Sequence, residues 1–165
     1  MQLQATGGGA WEMAGMREME LHLLSSIAPA ADVSGDDQAK RRLFPTGATG
    51  GEDEGADWKE FVVPELERAF RNAIDVVNGD LAAVERSEED GEEIFRVAVP
   101  AEHTEHWYSA LNQARLVLAE RYDLPASEEE FLSESAVFDE RWLAGAQSHL
   151  YAVIQTFLLE TVMGV

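Results

Sequence analysis

From Phe138 to Phe157 apolar side chains return every three or four positions, and Val162 follows five further on: Phe138, Trp142, Ala146, Leu150, Val153, Phe157 and Val162. That spacing follows the period of 3.6 residues and lays one apolar stripe along a long helix, about Ala136–Met163. Gly164 is a fitting residue to end it. A stripe of this length must be covered by partners with stripes of their own, and the chain supplies them. Leu66, Phe70, Ile74, Val77, Leu81 and Val84 form a second, which begins near Asp57 or restarts at Pro64. Trp107, Leu111, Ala114, Leu118 and Tyr122 form a third after Pro100. Met16, Met19, Leu23 and Ile27 form a fourth, ended by Pro29. Four such faces predict a mainly α fold, a bundle of about four long helices in a single domain spanning 1–165.

The ends of this pattern predict a small antiparallel sheet of two or three strands. Residues 1–6 alternate apolar and polar, and Gly7, Gly8 and Gly9 permit the reversal that brings Ala10–Met13 back as a second strand. Ile94–Val99 is the other strand-like segment. Ser87–Glu93, SEEDGEE, reads as a solvated acidic turn. Residues 30–56 read as irregular. They contain a short helix over Asp37–Phe44, stopped by Pro45, and then the glycine-rich acidic loop TGATGGEDEGA. Ser127 with Glu130 matches the S-x-x-E capping box of a further short helix.

Charge and composition exclude whole classes of function. With 32 acidic against 12 basic residues the net charge is -20, and nucleic acids and anionic membrane surfaces are recognised through Lys and Arg. No nucleic-acid partner and no membrane association are expected. The most apolar stretch, Leu150–Met163, is interrupted by Gln155, Thr156, Glu160 and Thr161 and is shorter than the roughly 20 apolar residues of a spanning helix. The absence of cysteine removes disulfides, thiolate metal sites and thiol nucleophiles. Together with an N-terminus that lacks the pattern of a secretion signal, this points to the cytoplasm.

Candidate chemistry is sparse. His103 and His106, three apart at a helix start, could share a metal with Glu102 nearby. Two histidines fall short of the three or four ligands of a zinc site, and a surface role is the alternative. Asn112 and Arg115 interrupt an apolar helix and could line a polar pocket with Asp139 or Glu140, or form a network that fixes helix register. Lys40-Arg41-Arg42, followed by Leu43 and Phe44, could dock an acidic partner or fold back on the chain's own acidic surface. Thr46–Gly51 lacks the Gly-Lys-Ser/Thr ending of a phosphate loop. There is no G-x-S-x-G elbow and no H-E-x-x-H pair. No cofactor is expected.

Aromatic residues exceed what one buried face per helix needs. Trp107, Tyr108, Trp142 and Tyr151 are the candidates for an interaction surface. The leading expectation is a non-enzymatic helical interaction or regulatory protein, for which self-association as a homodimer is one form. The alternatives are a metal-dependent hydrolase built on His103 and His106, and a small-molecule binder with a pocket between helices.

Two stretches together carry a family resemblance. His106–Leu118 reads HWYSALNQARLVL, and the terminal helix contains RWLAGAQSHLYAVIQTFLLETVM. A strand followed by this tryptophan-led helix resembles an uncharacterised bacterial family, the domain of unknown function DUF2017. In actinobacteria its genes often lie beside that of the protease adaptor ClpS. The resemblance covers mainly Ile94–Val165, with a weaker echo in the N-terminal hairpin and first helix. Members often place glycine after the RLVL run, where this chain has Ala119, and residues 30–60 match no familiar pattern. The resemblance implies a shared fold, no established activity, and a link to regulated proteolysis.

Overall fold

The structure, a computed structural model, describes residues 1–45, 57–134 and 137–164, without the side chains of residues 128 and 134. The glycine-rich loop of the sequence reading lies at 46–56, outside the described residues.

The N-terminal alternation forms strand β1 (Gln2–Gly7), which pairs antiparallel with β2 (Ala10–Met16). Gly7, Gly8 and Gly9 all take positive φ at the reversal. Strand β2 runs past Met13, where the sequence reading ends it. A bulge between Met13 and Met16, with Gly15 at φ 60°, restores the inward direction, so that Trp11, Met13 and Met16 are all buried.

The sheet overturns the predicted count of two or three strands. It has four, in the order β1-β2-β4-β3, all antiparallel, with β3 at Glu85–Glu89 and β4 at Glu92–Val99. The supposed acidic turn is the tip of a hairpin. Asp90 and Gly91 take positive φ (53° and 81°), as a two-residue hairpin turn requires. Glutamate is poor in strand propensity, but at an exposed sheet edge it has no core to spoil and it blocks further pairing. On the outer face Arg96 of β4 bridges Glu12 of β2 and Glu85 of β3.

The four-helix bundle is corrected as well: the chain is an α+β fold, with helices packed against the inner face of this sheet. Among the described residues three helices are long: α4 (Val63–Ala82), α5 (Thr104–Tyr122) and α7 (Glu140–Phe157). Four are short: α1 (Glu18–Ser25), α2 (Ile27–Ala31), α3 (Asp37–Leu43) and α6 (Glu128–Glu134). A π-helical turn, Trp58–Val62, leads into α4, and another, Leu158–Met163, extends α7 to Gly164 at φ 68°.

The predicted first long helix is broken at Ser26, and Pro29 sits within α2 instead of ending a helix. Two carbonyls at the break accept main-chain N–H groups, Leu23 from Ser26 and Ser26 from Ala30, and side chains from α7 add a second donor to each. Tyr151 donates to the carbonyl of Leu23 (2.6 Å), and Gln147 donates to that of Ser26 (3.2 Å) and to the Tyr151 hydroxyl (2.6 Å). Burial pushes the Tyr151 phenol well above its ordinary pKa.

Helix α5 is the axis of the fold: α2, α3, α4 and α7 all pack on it. The main core joins its Trp107, Leu111 and Leu118 to Trp11, Phe95 and Val97 of the sheet and to Ile154 of α7. Trp11 and Trp107 meet edge to face at 5.5 Å. A second cluster gathers Ala39, Leu43 and Phe44 of the α3 region against Val117. No helix among the described residues is long and apolar enough to cross a membrane.

Candidate functional site: a cleft beside α3

Helix α3 is short, so its position depends on what holds its ends. Asp36 caps it, accepting from the Ala39 N–H at 2.9 Å. Arg121, near the end of α5, donates to the Asp36 carboxylate (3.3 Å) and to the carbonyl of Asp32 (2.7 Å). Gln38 donates to Glu120. The intervening turn closes through Ser34, whose N–H donates to Asp32 Oδ1 at 2.8 Å. Both carboxyls lie below their ordinary pKa. The contacts with Ser34 hold Asp32 down, and the Ala39 N–H followed by Arg121 does so for Asp36.

Fixing α3 in this way opens two adjoining recesses between it and α4. The larger, about 480 Å³, has Val33, Phe70 and Ile74 among its walls and Lys40, Glu67 and Arg71 among its charged lining. Gln113 of α5 also lines it; buried at 3 % exposure, its amide donates to Ser109 Oγ (3.3 Å) and to the carbonyl of Phe70 (3.5 Å). The smaller, about 290 Å³, is lined by Asp37, Lys40, Arg41, Phe44, Lys59 and Val63. Asp37, Lys40 and Phe44 line both. Lys40 reaches Glu67 at 3.9 Å, and Phe44 packs on Phe70 at 5.5 Å between ring centres.

The histidines belong to a different place, between α4 and the start of α5. Asp80 accepts from Trp107 Nε1 at 2.8 Å and contacts His103 Nδ1 at 2.9 Å. His106 meets the amide of Asn72 through Nε2 (3.0 Å) and the carbonyl of Glu102 through Nδ1 (3.3 Å). These two contacts suit one neutral tautomer, with the proton on Nδ1. The rings of His103 and His106 lie 6.4 Å apart. Among the described residues no group of three or more His, Asp or Glu side chains could hold a metal ion.

The other candidates are dispersed. Asn112 is exposed, and Arg115 turns toward α7, donating to Gln155 Oε1 at 2.9 Å. Asp139 caps α7 by accepting from the Trp142 N–H. Of the four aromatic residues, Trp107 and Tyr151 are fully buried and belong to the core, not to a surface, while Tyr108 packs partly buried against it. Trp142 is half-buried and meets Phe138 edge to face at 4.8 Å, leaving Phe138 78 % exposed.

Sequence reasoning picked out Lys40, Arg41 and Phe44 but missed Lys59, Arg71, Gln113 and Asp80. On a helical wheel Gln113 falls roughly 140° from the Trp107 and Leu111 stripe, on a second buried face of α5 with Ala110 and Val117, so that stripe gave no signal for it. Asp80 was legible as the one acid between Val77, Leu81 and Val84 of the α4 stripe.

No curated protein and no solved structure is similar enough to this chain to count as a match. A family model described as Domain of unknown function (DUF2017) matches residues 3–164, including the α2–α4 region that forms the cleft. The similarity thus reaches beyond the strand and two helices that first suggested it, and the chain belongs to the DUF2017 family.

Proposed function

We propose that the protein acts by binding another protein, as an interaction or regulatory adaptor rather than an enzyme, through the cleft beside α3. One observation carries this reading. Lys40, Arg41, Arg42, Lys59, Arg68 and Arg71 are half of the chain's 12 basic residues, and they fall on α3, α4 and the turn before α4. In a molecule of net charge -20 these elements balance six cations with six carboxylates, and beside recesses with partly apolar walls they have the anatomy of a contact surface, an apolar centre with a charged rim. Action in the cytoplasm, in regulated proteolysis and as a homodimer are parts of the same proposal.

A photoreactive residue at position 59, compared with one at position 86 on β3, tests it in cells. Cross-links formed from 59 and absent from 86 support the cleft as the contact surface. Equal or absent cross-linking from both positions rejects it. Light scattering decides the homodimer.

A second reading, hydrolysis, is favoured by the Asp80–His103 contact, because a carboxylate on Nδ1 is how a general-base histidine is oriented. Its test is a hydrolase substrate panel with H103A, run beside elemental analysis of the purified protein. A thermal-shift screen with metabolites addresses a small molecule in the larger recess.

A further inference from the structure

We infer that the smaller recess takes an acidic peptide segment that carries one apolar side chain, an inference that rests on the protein-interaction reading above. Three of its six lining residues are cations, Lys40, Arg41 and Lys59, against the single carboxylate of Asp37. Among the described residues neither Arg41 nor Lys59 has an ion pair, and Lys40 has Glu67 alone, at 3.9 Å. Three like charges around one concavity repel each other, and an anionic occupant relieves that repulsion.

The remaining lining residues state what else the occupant must bring. Phe44 and Val63 offer apolar surface in the same recess. A volume of about 290 Å³ accepts one large aliphatic or aromatic side chain with its neighbouring main chain. The occupant is therefore a peptide whose apolar residue enters the recess while flanking Asp or Glu residues meet the cations. The total charge of -20 does not oppose this at physiological salt. A short peptide senses charges within a Debye length of about 8 Å and is screened from the rest. A long polyanion would meet the acidic surface as well.

The test is fluorescence anisotropy on the full chain with three labelled peptides. The first has one Phe flanked by Asp and Glu, and the second and third carry Ser or Lys in place of the acids. The acidic peptide should bind about tenfold more tightly than the Ser peptide, and replacing its Phe with Gly should weaken it by a similar factor. K59E should weaken the acidic peptide about tenfold. R86E, the same change of charge on the exposed strand β3, should leave it unchanged, with circular dichroism showing both variants folded. Equal effects of K59E and R86E, or equal binding of the acidic and Ser peptides, would overturn the inference. Preference for the Lys peptide overturns it while leaving the interaction reading intact. If none of the three binds, the inference falls, and cross-linking from position 59 decides the interaction reading separately.

Discussion

The Tyr151 hydroxyl donates to the main-chain carbonyl of Leu23 at 2.6 Å, bridging the final long helix to the break between α1 and α2. Because burial raises its pKa, the phenol stays protonated and keeps donating across the ordinary pH range. Y151F keeps the ring and its packing but leaves a buried carbonyl short of one partner and takes away the shorter of the two hydrogen bonds of the Gln147 amide. The expected loss is about 1–3 kcal/mol, read from the urea unfolding midpoint. An unchanged midpoint would mean that the break is held by other contacts.

Asp80 should matter through Trp107 before it matters through His103, since the indole is fully buried. D80A removes the acceptor and should cost about 1–3 kcal/mol. D80N keeps a carbonyl oxygen for the indole and should cost less. In NMR spectra the Trp107 indole proton should move most in D80A; equal stability of the two variants would refute this ranking.

Gly145 lets α6 lie against α7. A Cβ at this position would stand 2.8 Å from Cε1 and 2.9 Å from Cδ1 of Phe131, whose ring also carries the Arg141 guanidinium at 4.6 Å. Alanine favours a helix interior over glycine by about 1 kcal/mol, but the overlap should outweigh that. G145A is expected to lose about 1–3 kcal/mol. The double variant G145A/F131A should be more stable than the sum of the two separate losses, which a double-mutant cycle measures directly.

The carboxyls of Asp32 and Asp36 make stability depend on acid in a defined direction. Their pKa is lower in the fold than in the unfolded chain, where it is near 3.9. Their contribution is complete above that value and is lost as the pH falls through the lower folded value. D36N still caps α3, because asparagine accepts the same bond from Ala39, but it no longer titrates. Stability of D36N should therefore decline less steeply below about pH 4 than that of the unmodified chain. Parallel acid profiles would show that Asp36 is not part of the effect.

The long helices were legible because each buries one regular stripe, as Val77 and Leu81 or Trp107, Leu111 and Leu118 do. Features that break periodicity were not. Glu85–Glu89 has no apolar face to announce a strand, and its pairing depends on the Asp90-Gly91 turn and on the sequence-distant β4. Met16 looks like the start of a helical stripe because the bulge at Gly15 restores by geometry what alternation had lost. The Ser26 break falls where Pro29 can donate no N–H to the carbonyl of Ser25, but the partners that hold it, Tyr151 and Gln147, lie more than a hundred residues away.

The same division holds for the site. His103 and His106 were visible as a pair, but whether they share a ligand depends on Asp80 and Asn72, which α4 brings to them. The Lys40–Phe44 run was visible, whereas the recess exists because Arg121 anchors the turn before α3. Aromatic content was read as surplus surface, yet Trp107 and Tyr151 fill the junction of helices and sheet. Local sequence reports what a side chain is made of, and only the packing of distant elements reports which way it faces.

The enclosure of α5 by α2, α3, α4 and α7 also bears on how the molecule comes apart. A helix packed by elements that precede and follow it in the chain keeps most of its contacts when any one of them frays. Its amides should exchange with deuterium only when the whole structure opens, making α5 the slowest-exchanging segment. In refolding it would gain its final protection only after the C-terminal helix has docked. A chain emerging from the ribosome could not finish this core until α7 was free to dock on α5.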